Sequence, residues 1–212
     1  MSAPTFQAKG LAFIGAMKAA ERAPGGLDAV LSAMPAAERQ RVLSFYTAHS
    51  WYPLETLIAL METVADRLGV PSRAFVVKQS ARAARQDIEG TYRQALRAET
   101  PAAMAPRLPR AFNRYFSPCE AELVAQGEGS MTVEVEPIPA DRLAFFEAVN
   151  EGFVTGALGT LGVARVDFAW SEPVRSPDGT LVLRFVARWD ESPGASRSGS
   201  PGSGRFSRPN RG

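Results

Sequence analysis

Cysteine and histidine, the residue types that most often hold metals or act as nucleophiles, each occur once in this chain of 212 residues, as Cys119 and His49. One cysteine cannot form an internal disulfide, and this pair cannot supply the four ligands of a structural zinc site. The spacing leaves a Cys–His nucleophile open, but a lone cysteine is more often a small buried hydrophobic residue. The sequence therefore predicts no metal site, no cofactor and no catalytic residue, and it favours a protein that is not an enzyme.

Aromatic residues are the candidates for the wall of a ligand-binding cavity. Trp51 and Tyr52 stand directly before Pro53, and each joins an apolar ring to a polar tip, which suits a pocket wall. The alternative, which we favour, is that the two rings seal the core where a helix begins. If a ligand is bound, we expect an enclosed pocket of about 300 Å³ or more near Trp51, Tyr92 and Phe146.

A pair of arginines in the middle of the chain indicates an anion site. Arg110 and Arg114 are four residues apart on a predicted helix and would share one of its faces. With Tyr115 beside them, their guanidinium groups could bind a carboxylate or a phosphate, since both are forked acceptors. A solvated helix face without a ligand is the alternative that we favour.

Two further groups of residues have expected structural roles. Charge pairs within one helix, without a function, are predicted for Arg82, Arg85, Asp87 and Glu89. Each glycine inside a helix costs about 1 kcal/mol relative to alanine, which indicates close packing by a neighbour. Such glycines occur at Gly152, Gly156 and Gly159, and we expect the neighbour to be the sheet.

Charge and hydropathy exclude several classes of protein. The net charge is +2, and the last 21 residues hold four arginines and no acid, so residues 1–191 carry a net charge of −2. A near-neutral body argues against nucleic-acid binding, which needs a basic face. The apolar run at 11–17 is too short to span a membrane and ends at Lys18. We therefore expect a cytoplasmic protein without a membrane span.

The hydrophobic period predicts the architecture. It is close to 3.6 residues as far as residue 116, which indicates helices, and it changes to two after Pro118. Strands are predicted at 120–125, 131–136, 163–170 and 181–189, with a helix at 140–161 between the two hairpins. This order predicts an α+β domain in which N-terminal helices pack on a four-stranded antiparallel sheet. Residues 1–8 are expected to be frayed, 9–191 to form one domain, and the Gly/Ser/Pro/Arg-rich segment 192–212 to be disordered.

Several short strings, taken in order, resemble a known group of proteins. They are KGLAF, GLDAVLSAM, WYPLE, TYRQAL, LPRAFNRYF and the pair LGVARVDF and LRFVARW. Together they cover about residues 9–189 and resemble a bacterial family that is common as paralogues in myxobacteria. That family is related to the 4-vinyl-reductase-type domain, the haem-NO-binding domain and the TRAPP vesicle-tethering subunits.

The departures from these relatives limit what the resemblance implies. The 4-vinyl-reductase-type relatives often carry two cysteines in the last hairpin, whereas only Asp178, Gly179 and Trp189 of that pattern remain here. Haem-NO-binding relatives need a histidine on a helix and a Tyr-x-Ser-x-Arg motif, whereas His49 precedes the WYP string and that motif is missing. Haem coordination of that kind is therefore not expected.

The resemblance implies three functions, in descending order of preference. The first is a non-catalytic module that binds a small apolar molecule or acts as a sensor. The second is a protein-interaction or scaffold module that binds a partner protein or forms a homodimer through its helices. The third is a degenerate enzyme of the 4-vinyl-reductase type.

Overall fold

The computed structural model describes residues 5–43, 47–90 and 93–190, without the side chain of Ala95. The α-helices in these ranges are α1 Gly10–Ala20, α2 Gly26–Ala33, α3 Ala36–Val42, α4 Leu54–Leu68, α5 Ser72–Glu89, α6 Arg93–Leu96, α7 Pro101–Met104, α8 Leu108–Phe112 and α9 Leu143–Gly159. The strands are β1 Gln7–Lys9, β2 Trp51–Pro53, β3 Phe116–Ser117, β4 Glu120–Gly127, β5 Ser130–Ile138, β6 Val166–Trp170, β7 Val174–Arg175 and β8 Leu181–Trp189. Tyr92 and the C-terminal segment expected to be disordered lie outside the described residues.

The larger sheet confirms the predicted fold class. Its strands run in the order β4-β5-β8-β6 with antiparallel pairing, and the short β7 adds to β8. In the register of β5 and β8, Val133 lies opposite Phe185 and Val135 opposite Leu183, and all four side chains are buried. Glu134 and Arg184 alternate with them and form an ion pair on the other face of the sheet. One face of the sheet is therefore apolar and available for a helix.

α9 is that helix, and it lies between the sheet and α5. Val154 of α9 borders a void of about 10 Å³ together with Met131 and Phe185 of the sheet. On another side of α9, a Cβ atom added at Gly152 would lie 2.2 Å from the carbonyl oxygen of Val77. The glycines of α9 thus pack against α5 and not against the sheet, so the expected neighbour was wrong. Two helix backbones can approach this closely only because these positions lack a side chain.

A second, small sheet was not predicted. β1 pairs antiparallel with β2 and with β3, so that Ala8 lies opposite both Tyr52 and Phe116. Strands of two or three residues are too short to show a hydrophobic period, which is why the sequence does not reveal them. Gln7 and Ala8, expected within a frayed N-terminus, lie in β1. This sheet holds the segment before β4 against α1, because the backbone N–H of Lys9 donates to the carbonyl oxygen of Tyr115.

Several helices end where local chemistry requires it. α4 stops at Gly69, which has a φ of +66° and closes the helix in the left-handed conformation that glycine favours. α5 ends at Glu89, before Gly90. Thr100 caps α7 by accepting a hydrogen bond from the backbone N–H of Ala103, as its place before Pro101 predicts. Within the described ranges, no helix combines the length and apolar character needed to cross a bilayer.

Candidate functional site

An apolar cavity of about 120 Å³ lies in the helical layer, between α1, α4, α5 and α9 and the segment that joins α8 to β3. We call it the central cavity. Its walls include Leu57 and Met61 of α4 and Val149 of α9, all of them buried side chains. At its mouth lie exposed residues of two helices, Lys18 of α1 and Gln86 of α5. The cavity thus has an apolar interior and a polar opening.

Aromatic rings form one side of the central cavity. They come from α8, from the turn and strand that follow it, and from α9: Phe112, Tyr115, Phe116, Phe145 and Phe153. The rings support one another edge to face, with centroids 6.2 Å apart for Phe116 and Phe145 and 6.3 Å apart for Tyr115 and Phe153. The small sheet places Tyr115 and Phe116 in this wall, because β1 holds both residues beside α1.

A buried carboxyl group faces the same cavity. Asp87 of α5 is 3% exposed, and its Oδ2 accepts a hydrogen bond of 2.6 Å from the phenol of Tyr115. Burial raises the pKa of Asp87 to about 6, while the hydrogen bond from Tyr115 and the positive charge of Arg114 lower it. A carboxyl group with a perturbed pKa in an apolar cavity marks a candidate site. Removing a carboxylate from water is costly, and functional sites are where proteins most often retain such a group.

Asp87 was assigned no function from the sequence, and its expected role as a surface charge pair was wrong. None of the ion pairs among the described residues involves Asp87. Arg82, Arg85 and Glu89 of the same helix are exposed, as expected of a solvated face. The available signal was the helical spacing, because Asp87 falls four residues after Ala83 and three after Ala84 on the inner side of α5.

The first two predicted site residues lie away from the central cavity. Trp51 is 36% exposed, and the ammonium of Lys9 lies 3.8 Å from the centroid of its ring. Tyr52 packs its ring edge to face on Phe13 with centroids 5.6 Å apart, and its phenol oxygen accepts from the backbone N–H of Thr47. Tyr52 therefore closes the core beside the small sheet, whereas Trp51 lies at the surface.

Of the other predicted site residues, two lie at or directly behind the wall of the central cavity and two are exposed. Tyr115 lines the central cavity, and Phe146 is fully buried behind that wall with its ring centroid 5.3 Å from that of Phe116. Arg110 and Arg114 are exposed, and α8 ends at Phe112 before it reaches Arg114. The shared helical face expected for the two arginines is therefore wrong. The enclosed space is also smaller than the 300 Å³ or more that we expected.

Cys119 and His49 are not brought together in the central cavity, and neither residue lines it. Cys119 is buried, and burial raises the pKa of its thiol to about 12. At neutral pH the side chain is therefore a thiol and not the thiolate that a nucleophile requires. His49 lies in the segment before β2, where its backbone carbonyl accepts from Lys9.

A larger cleft of about 530 Å³ lies on the surface beside β4 and β5. Its walls are polar and acidic, with Glu120, Glu122, Glu136 and Asp178 among them. Among the residues that the structure describes, no group of three or more acidic, histidine or cysteine side chains is arranged to hold a metal ion. We therefore take the apolar central cavity, and not this polar cleft, as the candidate site.

The arrangement of helices and sheet is that of the H-NOX fold. An H-NOX protein from K. algicida, in the unliganded Fe(II) form, matches with a TM-score of 0.63 and 12% identity over 86% of this chain and 97% of its own. A mutant H-NOX from T. tengcongensis matches with a TM-score of 0.62 and 9% identity, over 86% and 97% of the two chains. An oxygen-binding H-NOX domain related to soluble guanylate cyclases matches with a TM-score of 0.60 and 9% identity, over 86% and 95%. No protein-family model and no curated protein matches the chain.

The residues of this chain do not fit a haem, the group named for H-NOX structures. Its cysteine and histidine both lie outside the lining of the central cavity. The cavity volume of about 120 Å³ is close to the roughly 150 Å³ that holds a single benzene ring in a protein core. A porphyrin with four pyrrole rings is several times too large for it. The fold is therefore shared with H-NOX domains, while the space that this chain encloses suits a much smaller molecule.

Proposed function

We propose that this protein is a non-catalytic module that binds a small molecule in the central cavity and acts as a sensor of that molecule. The observation that carries this proposal is the aromatic-lined apolar cavity that a buried carboxyl group faces. Such a combination of apolar walls and a few convergent polar groups is typical of small-molecule sites. The H-NOX fold adds support by analogy, since one solved neighbour is described as oxygen-binding.

We further propose that this sensor is cytoplasmic and works without haem. Its ligand would be held by apolar contact and by Asp87, and not by coordination to a metal. We also propose the more distant relationship to the myxobacterial family, the 4-vinyl-reductase-type domain and the TRAPP subunits. The order of the short strings along about residues 9–189 supports this relationship.

The alternative of a scaffold that dimerises through its helices has less support. The large apolar side chains that are exposed lie on five separate segments of the described chain: Leu43, Trp51, Leu68 with Val70, Val124 and Val174. A docking face would instead present a continuous apolar patch of more than about 400 Å². Ligand binding in the central cavity is therefore the function that the geometry favours.

A cavity-filling variant tests this proposal. Ala83 of α5 lines the central cavity, so Ala83→Leu should fill it, whereas Ala74→Leu places the same side chain on an exposed position of the same helix. We expect at least one of toluene, benzyl alcohol, benzylamine and benzoate to raise the melting temperature of the wild type and of Ala74→Leu. The same compound should have no effect on Ala83→Leu. Failure of all four to bind the wild type would contradict the proposal.

A further inference from the structure

We propose that the ligand of the central cavity is a small organic cation, a protonated amine no larger than about one ring, held between Asp87 and the aromatic wall. This inference rests on the proposed function and adds the chemical class of the ligand. It starts from Asp87, the one buried aspartate or glutamate among the described residues.

The hydrogen bonding of Asp87 leaves room for a ligand. Tyr115 donates to Oδ2, and no described residue donates a hydrogen bond to Oδ1. An amide or a hydroxyl group would be enough to tie α5 to Tyr115 by one hydrogen bond. A carboxylate is costly to bury, and what it adds to such a group is negative charge. The negative charge of Asp87 contributes to binding if a positively charged group lies beside it.

The basic side chains near Asp87 do not form a close ion pair with its carboxylate. Arg114 attracts the carboxylate from an exposed position, but no ion pair within 4.0 Å joins the two residues. Lys18 is exposed at the mouth of the cavity, where water screens its charge. A ligand cation beside Oδ1 would be closer to the carboxylate than either of these side chains.

The aromatic wall favours the same charge. The faces of Phe and Tyr rings carry partial negative charge and attract cations within about 6 Å. Five such rings line the central cavity, and Tyr115 among them also contacts Asp87. An anion would be repelled by the carboxylate and by the ring faces, and a neutral molecule would gain no attraction from the negative charge of Asp87.

The volume sets the size of the cation. A cavity of about 120 Å³ corresponds to one six-membered ring or a short branched chain. Primary amines of that size are protonated at neutral pH, and they present three N–H donors to the carboxylate. Longer polyamines and ring systems of two or more rings are too large to be enclosed.

Three probes of similar size and different charge test this inference: benzylamine, benzyl alcohol and benzoate. We expect benzylamine to bind the wild type most tightly and benzoate most weakly in NMR titrations at pH 7.5. Asp87→Asn removes the charge and keeps the shape, so the affinity for benzylamine should fall roughly tenfold or more. The affinity for benzyl alcohol should change much less.

Tyr115→Phe is the matched control, because it removes the hydrogen bond to Asp87 but keeps the carboxylate. This variant should still prefer benzylamine, and it decides the question if Asp87→Asn does not fold. Equal or tighter binding of benzyl alcohol or benzoate to the wild type would overturn the inference while leaving a ligand-binding cavity in place. Binding of none of the three probes would overturn the inference, and it would contradict the proposed function itself only if toluene also fails to bind.

Discussion

Two sides of α9 differ in how closely the neighbouring helix approaches. Along the first side, which we call the glycine seam, Gly152 and Gly156 bring α9 against the backbone of α5 near Val77 and Ala81. On the adjacent side, Phe145, Val149 and Phe153 face the central cavity. One side is thus packed until no methyl group fits, and the other leaves room for a molecule the size of a benzene ring.

The contrast shows how a small open space is kept inside a packed fold. Close contact along the glycine seam fixes the distance between α5 and α9, so the large side chains beside it cannot collapse into the space between the helices. Asp87 lies on the open side and Tyr115 holds it there. The seam therefore supplies rigidity, while the open side supplies the binding site.

A substitution on the glycine seam gives the largest expected effect on stability. In Gly156→Ala the new Cβ atom would lie 2.3 Å from the carbonyl oxygen of Ala81 and 2.6 Å from its Cα atom. Both atoms belong to the backbone and cannot rotate away, so α9 must shift. We expect the free energy of unfolding in urea to fall by about 3 kcal/mol. An unchanged midpoint and slope of the unfolding curve would show that the two helices are not in contact at this position.

Protonation of Asp87 gives the next largest effect. Well below pH 3.8 its carboxyl group is protonated both in the folded and in the unfolded chain. As the pH rises from the ordinary pKa of 3.8 to about 6, the unfolded chain loses this proton first, so the free energy of unfolding falls. The decrease is at most about 3 kcal/mol. Asp87→Asn does not titrate there, and its stability relative to the wild type should therefore rise between pH 4 and 6.5.

Comparing the two proteins at each pH cancels the titration of all other groups. The difference between their free energies of unfolding should level off above pH 6.5, where Asp87 is ionised in both states. A flat difference across the whole range would mean that Asp87 is not desolvated. The open side of α9 would then be an ordinary water-filled surface.

The smallest expected effect comes from a glycine on the open side. Gly15 of α1 lines the mouth of the central cavity, and a Cβ atom added there meets no atom within 4 Å. Gly15→Ala should therefore raise the free energy of unfolding by about 0.5–1 kcal/mol through its helix propensity. It serves as the matched control for Gly156→Ala. A loss of stability similar to that of Gly156→Ala would remove the distinction between the two sides.

The order of helices and hairpins was predictable from the sequence because hydrophobic period is a local property. The change of period at Pro118 and the alternation in Met131–Glu136 identified the larger sheet and its apolar face. The glycines of α9 also indicated close packing correctly. The sheet was expected to be their neighbour, whereas the structure shows that it is α5. A glycine indicates that another element packs closely, but it does not indicate which element.

The candidate site was only partly predictable. Tyr115 was selected for its neighbouring arginines, whereas its structural partner Asp87 lies 28 residues earlier. The hydrogen bond that joins them depends on the small sheet, whose short strands show no period. Trp51 and Tyr52 were selected for their residue types. The pairing of β1 with β2 places them away from the central cavity. Contacts between segments that are distant in the sequence therefore determine which residues form the site. The spacing of residues in a single sequence does not reveal such contacts.

The most direct test is a methyl NMR titration that compares two valines of α9. Val149 lines the central cavity, whereas Val154 is buried on the side of the sheet. Upon addition of benzylamine, we predict large shifts of the Val149 methyl signals and nuclear Overhauser contacts to the ligand ring, with much smaller changes at Val154. Equal changes at both valines, or contacts only to surface residues, would contradict a ligand site in the central cavity.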